Sequence, residues 1–167
     1  MIEHTLNWYN GEIFEGKFIL GFGIFLLFVA LLFYHYGYIS TAKALFIPFL
    51  TISLFFTAVG IGGVYSNSKK VDLVEEIYHQ DQYEFIKNEI KRVEGFQYLY
   101  PMSLAISLVC FIVAIFLLYF VENVHFRAIA IALIVFGSAF ALIDYFSKHR
   151  ANIYYQELLN YIENKGI

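Results

Sequence analysis

The stretch MSLAISLVCFIVAIFLLYFV, Met102 to Val121, runs for twenty residues without a charged side chain. At about 1.5 Å of rise per residue it makes a helix of roughly 30 Å, the thickness of a bilayer's hydrocarbon core. Working outward, Phe18–Tyr36 and Ala44–Tyr65 precede it and Ala128–Phe146 follows it, all of the same character. None of the four contains Lys or Arg, and Asp144 is the single acid among them. Helices of water-soluble cores are rarely apolar on every side over such a length. The expected fold is an all-α integral membrane protein, with four transmembrane helices arranged as two hairpins in one domain over residues 1–167.

Composition agrees. Apolar residues make up 60% and charged residues 15%, against about 45–50% and about 25% in average globular chains. A net charge of −3 argues against a nucleic-acid partner, as does the lack of a basic segment interleaved with stacking aromatics. The lone cysteine, Cys110, falls inside the third span and reads as a small apolar residue. Ala42-Lys43-Ala44 imitates a leader cleavage site. The segment before the first span, however, carries Glu3, Glu12 and Glu15 against Lys17, and the apolar run is too long for a leader.

Orientation follows from Lys and Arg. Nine (Lys17, Lys69, Lys70, Lys87, Lys91, Arg92, Lys148, Arg150 and Lys165) fall on the side of both termini and the long middle connection, while Lys43 and Arg127 alone fall opposite. The positive-inside bias therefore puts both termini in the cytoplasm, in a bacterial inner membrane. Trp8, Tyr9, Tyr65, Tyr98, Tyr100 and Tyr145 read as anchors at the inner interface, and Tyr34, Tyr36 and Tyr38 as anchors at the outer one. Residues 2–9 are expected to form a short surface helix ending at Gly11.

The connection over 67–98 is expected to be helical. Val71, Val74, Ile77 and Tyr78 have helical spacing, and Asp81 stands where its carboxylate accepts from the amide of Glu84. Ile86, Ile90 and Val93 then share one face, while Glu84, Lys87, Glu89, Lys91, Arg92 and Glu94 read as solvated charge. Gly95 marks an end or bend, and Pro101 suits the first turn of the third span. A last cytoplasmic helix over 150–164 carries Ile153, Leu158, Tyr161 and Ile162 as its apolar stripe. Each half of the chain is thus a hairpin followed by an amphipathic helix, the pattern of an internal duplication.

Small residues mark where helices approach. Ser103, Ser107, Cys110 and Ala114 form a seam on the third span, and Ala130, Gly137 and Ala141 one on the fourth. Ser53, Thr57 and Gly60 offer another on the second. Such seams hold helices together where lipid supplies no hydrophobic drive. Pro48, early in the second span, removes a backbone hydrogen bond. Asp144 continues the fourth seam and is expected to pair with Lys148 at i+4. His35, Glu122 and His125 gather at the outer side as a weak candidate metal cluster, though no histidine pair has zinc-ligand spacing.

No nucleophile motif, phosphate loop or intramembrane carboxylate pair appears, so neither an enzyme nor a cofactor is expected. The overall plan is similar to small four-span bacterial proteins such as membrane immunity proteins and membrane effectors of antiphage systems, without a motif of any one family. The expected function is a non-enzymatic accessory, regulatory or immunity-type subunit, partnered by the lipid bilayer and by another membrane protein or copies of itself. The alternative is a homo-oligomeric ion channel or membrane-permeabilising effector gated by its cytoplasmic helices.

Overall fold

The computed structural model describes residues 1–165. Their regular structure is helical: α1 (Ile2–Tyr36), α2 (Ser40–Ala44), α3 (Phe46–Gln80), α4 (Gln82–Phe96), α5 (Leu99–Phe120) and α6 (Val124–Lys165). Four helical stretches are long and apolar enough to cross a membrane.

α1 runs without a break through Gly11, where the sequence suggests a stop. The reason lies in its buried face. Thr5, Tyr9, Gly16, Ile19, Gly23, Leu26 and Ala30 are buried and Glu12 half-buried, a stripe alternating by four and three residues from end to end. Such a stripe keeps one side of a helix against one neighbour over many turns. From Gly16 onward that neighbour is α3, while Thr5, Tyr9 and Glu12 at the start of the stripe face α4 and α6. Gly16 meets Val64, a Cβ on Gly23 would lie 2.6 Å from the Thr57 amide, and Phe33 stands edge-on to Phe49 at 5.4 Å. Numbering rises along one helix as it falls along the other, so the two are antiparallel.

Punctuation is local chemistry. A Cβ at Gly37 would sit 2.3 Å from the Phe33 carbonyl oxygen, so the turn after α1 requires glycine. Pro48 is the third residue of α3, where an amide has no helical acceptor to lose, so it costs no ladder bond. α2 and α3 meet at Leu45, whose amide turns back to the Ala42 carbonyl at 3.2 Å. Asp81 leaves the helical region and its Oδ1 accepts from the Glu84 amide at 2.9 Å, starting α4 as expected. α4 passes through Gly95 and ends one residue later. Pro101 lies in the first turn of α5. Asn123 Oδ1 accepts from the His125 amide at 2.9 Å and caps α6.

α5 rests principally on α6, and α6 also touches α1, α2, α3 and α4. Two apolar cores result. One lies among the long apolar stretches, where Phe56 is fully buried beneath Phe22 and Phe136, with ring centroids 5.2 and 5.6 Å away. The other lies at the end carrying both termini, where Trp8, Tyr9, Val74, Phe85, Ile86, Val93, Tyr154 and Leu158 pack together.

Candidate functional site

The seams lie where small residues are needed. Ser103, Ser107, Cys110 and Ala114 are the buried face of α5. Across from them on α6, a Cβ added to Gly137 would meet Cys110 Cβ at 3.2 Å and the Ser107 carbonyl oxygen at 3.3 Å. Ala130 is fully buried and Ala141 partly so. Asp144 continues this line, but its direct partner is Ser103, whose hydroxyl donates to Asp144 Oδ2. Lys148 is exposed and, among the described residues, forms no ion pair with it. Lys148 still acts on Asp144 through its charge, while the direct contact is a hydrogen bond between helices.

His35, Glu122 and His125 do not converge. Among the described residues no group of three or more His, Cys, Asp or Glu side chains is placed to hold a metal. His35 stands against the Tyr34 ring. Glu122 and His125 instead border a groove of about 1050 Å3 between α2–α3 and the start of α6. Ser40, Lys43 and Asn123 complete its rim, and its walls include Ile47, Pro48, Ile52, Ile129 and Leu133.

The densest polar chemistry lies at the terminal end, among residues expected to be solvated. Glu89 on α4 is 7% exposed. Tyr9 of α1 donates to its Oε1 at 3.2 Å, and Tyr154 of α6 donates to its Oε2 at 2.9 Å. Arg92 closes a bidentate pair, with Nε 3.0 Å from Oε1 and Nη2 2.6 Å from Oε2. The same guanidinium lies over the Tyr9 ring, 5.1 Å from its centroid. Tyr154 Oη is also 3.1 Å from the fully buried Thr5 hydroxyl. Trp8 stacks on Tyr154 at 5.1 Å and on Phe96 at 6.3 Å. Trp8, Tyr9 and Tyr100 are thus buried core residues rather than interfacial anchors, whereas Tyr65, Tyr98 and Tyr145 are exposed.

Burial, and then the charge of Glu89, push both the Tyr9 and Tyr154 phenols well above their ordinary range, so both stay protonated donors. Burial works against the Arg92 charge, but its bonds to Glu89 prevail and raise its pKa. Four hydrogen bonds from three residues occupy the Glu89 carboxylate and leave it little capacity for a substrate. The arrangement is a tie between three helices.

A second tie sits nearer the spans. Arg150 of α6 bonds Glu12 at 2.9 Å and also Glu15, both on α1. Burial raises the pKa of Glu12, and burial with the neighbouring Glu12 charge raises that of Glu15 to about 7 in spite of Arg150. At the periphery, His4 lies 2.9 Å from Glu157, and Tyr155 donates to Glu94 at 2.6 Å.

On α6 the covered stripe is Ala151, Tyr154 and Leu158; Ile153, assigned to the apolar stripe by spacing, is half exposed. The residues that sequence reasoning missed were Thr5, Tyr9, Glu89, Arg92 and Tyr154. The stripe from Thr5 to Ala30 was the available signal for α1. No local pattern marked Glu89.

Comparison with protein-family models, curated proteins and solved structures finds no match to this chain. The class the fold defines is an all-helical protein with four helices of membrane-spanning length.

Proposed function

We propose that this chain is a non-enzymatic integral membrane subunit, acting through its helix surfaces as an accessory, regulatory or immunity-type component. In this reading the four apolar helices cross a bacterial inner membrane as two hairpins. The end carrying both termini lies in the cytoplasm, as the nine-to-two distribution of Lys and Arg favours. One observation carries the reading. The centre of the span bundle is filled by Phe22, Phe56 and Phe136, which leaves a single copy no polar path for a solute. A protein with a filled interior works on what touches its outside. α5, attached along a single stripe of small residues, offers the largest apolar circumference for that purpose.

The continuity of α1, α3 and α6 supports a regulatory role. Each passes from its apolar span into the terminal bundle without a break, so contact with a partner in the bilayer is transmitted as rigid-body movement to the ties at Glu89 and Arg150. The test is photo-crosslinking in cells from Leu108 and Ile112, both exposed on α5. The expected product is an adduct with a different membrane protein. A ladder of self-multiples, joined to ion flux from purified protein in liposomes, would replace this reading with the homo-oligomeric channel or effector.

A further inference from the structure

We infer that the groove between α2–α3 and α6 is a binding site for one phospholipid of the surrounding bilayer, with a headgroup that joins a phosphate to a primary amine. Three features define the ligand. The first is depth. From Lys43 at the rim to Ile52 in the wall, the groove follows α2 and α3 for nine residues, roughly 13 Å at the rise of a helix. That is close to half of a hydrocarbon core of about 30 Å, the reach of one leaflet.

The second is the division of polarity. Ile47, Pro48, Ile129 and Leu133 line the groove, and Thr51 beside them donates its hydroxyl to the Ile47 carbonyl at 2.9 Å, while the charged and amide side chains, Lys43, Glu122 and Asn123, come from α2 and the turn before α6. An amphiphile with an apolar tail and a polar head matches that gradient. The volume, about 1050 Å3, stands at the upper end for small-molecule sites, which run to about 1,000 Å3.

The third is charge. Lys43 and Glu122 border the same groove, and among the described residues neither forms an ion pair. A cation and an anion on one rim complement a headgroup carrying both signs: Lys43 faces the phosphate and Glu122 the ammonium. A purely anionic headgroup would satisfy Lys43 and be repelled by Glu122. The site shares with the proposed function the placement of these helices in a bilayer, but it concerns a surface on which that function does not depend.

The experiment is native mass spectrometry of full-length protein, delipidated in mild detergent and offered palmitoyl-oleoyl phosphatidylethanolamine or phosphatidylglycerol. Carbonate extraction of membranes reports bilayer insertion separately, and a monodisperse size-exclusion profile reports folding of each variant. The expected result is one retained phosphatidylethanolamine, with phosphatidylglycerol held roughly tenfold more weakly, the worth of one charge-assisted hydrogen bond. Lys43→Gln and Glu122→Gln should each weaken phosphatidylethanolamine roughly tenfold by the same argument, and Lys43→Arg should keep it. Ile129→Trp fills the groove without altering the rim charges and should abolish retention. Equal retention of the two lipids, or undiminished retention by Ile129→Trp or by both Gln variants, overturns the assignment. So does a protein that inserts normally and holds no lipid.

Discussion

Ser103 of α5 donates its hydroxyl to the carboxylate of Asp144 on α6, a side-chain bond across the one face that α5 buries. The Tyr100 carbonyl oxygen also lies 3.1 Å from this hydroxyl and competes with the carboxylate for its single proton. Asp144→Asn keeps an acceptor in place and should leave thermal stability in detergent nearly unchanged. Ser103→Ala removes the donor and should cost about 0.6–1.7 kcal/mol, the range for hydrogen bonds between membrane helices. If Asn proves as damaging as Ala at position 144, the charge and not the hydrogen bond is what the site requires.

Glu89 is expected to be the most sensitive position of the terminal bundle. Glu89→Ala leaves Arg92 and two buried phenols without their common acceptor and should destabilise by roughly 3 kcal/mol or more. Tyr9→Phe and Tyr154→Phe each remove one donor and should cost about 1 kcal/mol. Protease susceptibility near Asp81, where α3 gives way to α4, is the readout. Wild-type resistance in Glu89→Ala would show that the apolar core alone holds the bundle.

The Glu15 carboxyl has an unusual pH signature. Its pKa rises from 4.5 to about 7 on folding, chiefly by burial. A carboxyl raised in this way contributes stability that is full below 4.5 and lost as pH climbs through about 7. Midpoints of thermal unfolding should therefore fall between pH 5 and pH 7.5, against the usual trend for ion-paired acids. Glu15→Gln should flatten the profile across that window. An unchanged slope in the variant would assign the effect to another group.

Close approach of backbones predicts a ranking among glycines. A Cβ at Gly60 would lie 2.5 Å from the Leu20 amide nitrogen, one at Gly137 3.2 Å from Cys110 Cβ, and one at Gly62 meets nothing within 4 Å. Gly60→Ala should cost about 1–3 kcal/mol through overpacking. Gly137→Ala should cost less, and Gly62→Ala should be neutral or slightly stabilising because alanine is the better helix former. Unfolding midpoints in one detergent suffice; a reversed order would mean that α1 and α3 are not packed in this register.

Sidedness is checked by labelling single cysteines at Ser40, Gln80 and Asn160, all exposed, in a Cys110→Ala background. Ser40 should react from outside intact cells, and Gln80 and Asn160 only after permeabilisation. External reaction at Gln80 would overturn the cytoplasmic placement of the termini.

The four long apolar helices were legible because the signal is local: Met102–Val121 declares its length and polarity without reference to any other segment. The seams were legible for the same reason, since Ser103, Ser107, Cys110 and Ala114 recur on one side of one helix. The Glu89 tie was not. Glu89 sits three residues from both Ile86 and Arg92, and nothing on α4 alone distinguishes a charge that will be covered from one that will stay wet. What covers it comes from Tyr9, 80 residues earlier, and Tyr154, 65 residues later. The direct contact of Asp144 escaped in the same way: spacing along one helix pointed to Lys148, which acts on it through its charge, whereas Ser103 lies 41 residues away.

The place of α6 in the chain has a consequence for biosynthesis. It follows the other described helices, yet it supplies Phe136 to the core among the long apolar helices and Ala151, Tyr154 and Leu158 to the terminal one. A nascent chain ending before Ala151 would hold its first helices in antiparallel register while Trp8, Phe85, Ile86 and Val93 still lacked their cover. The two turns of α6 from Ala151 to Leu158 therefore close the terminal core over side chains that α1 and α4 brought in much earlier in the chain.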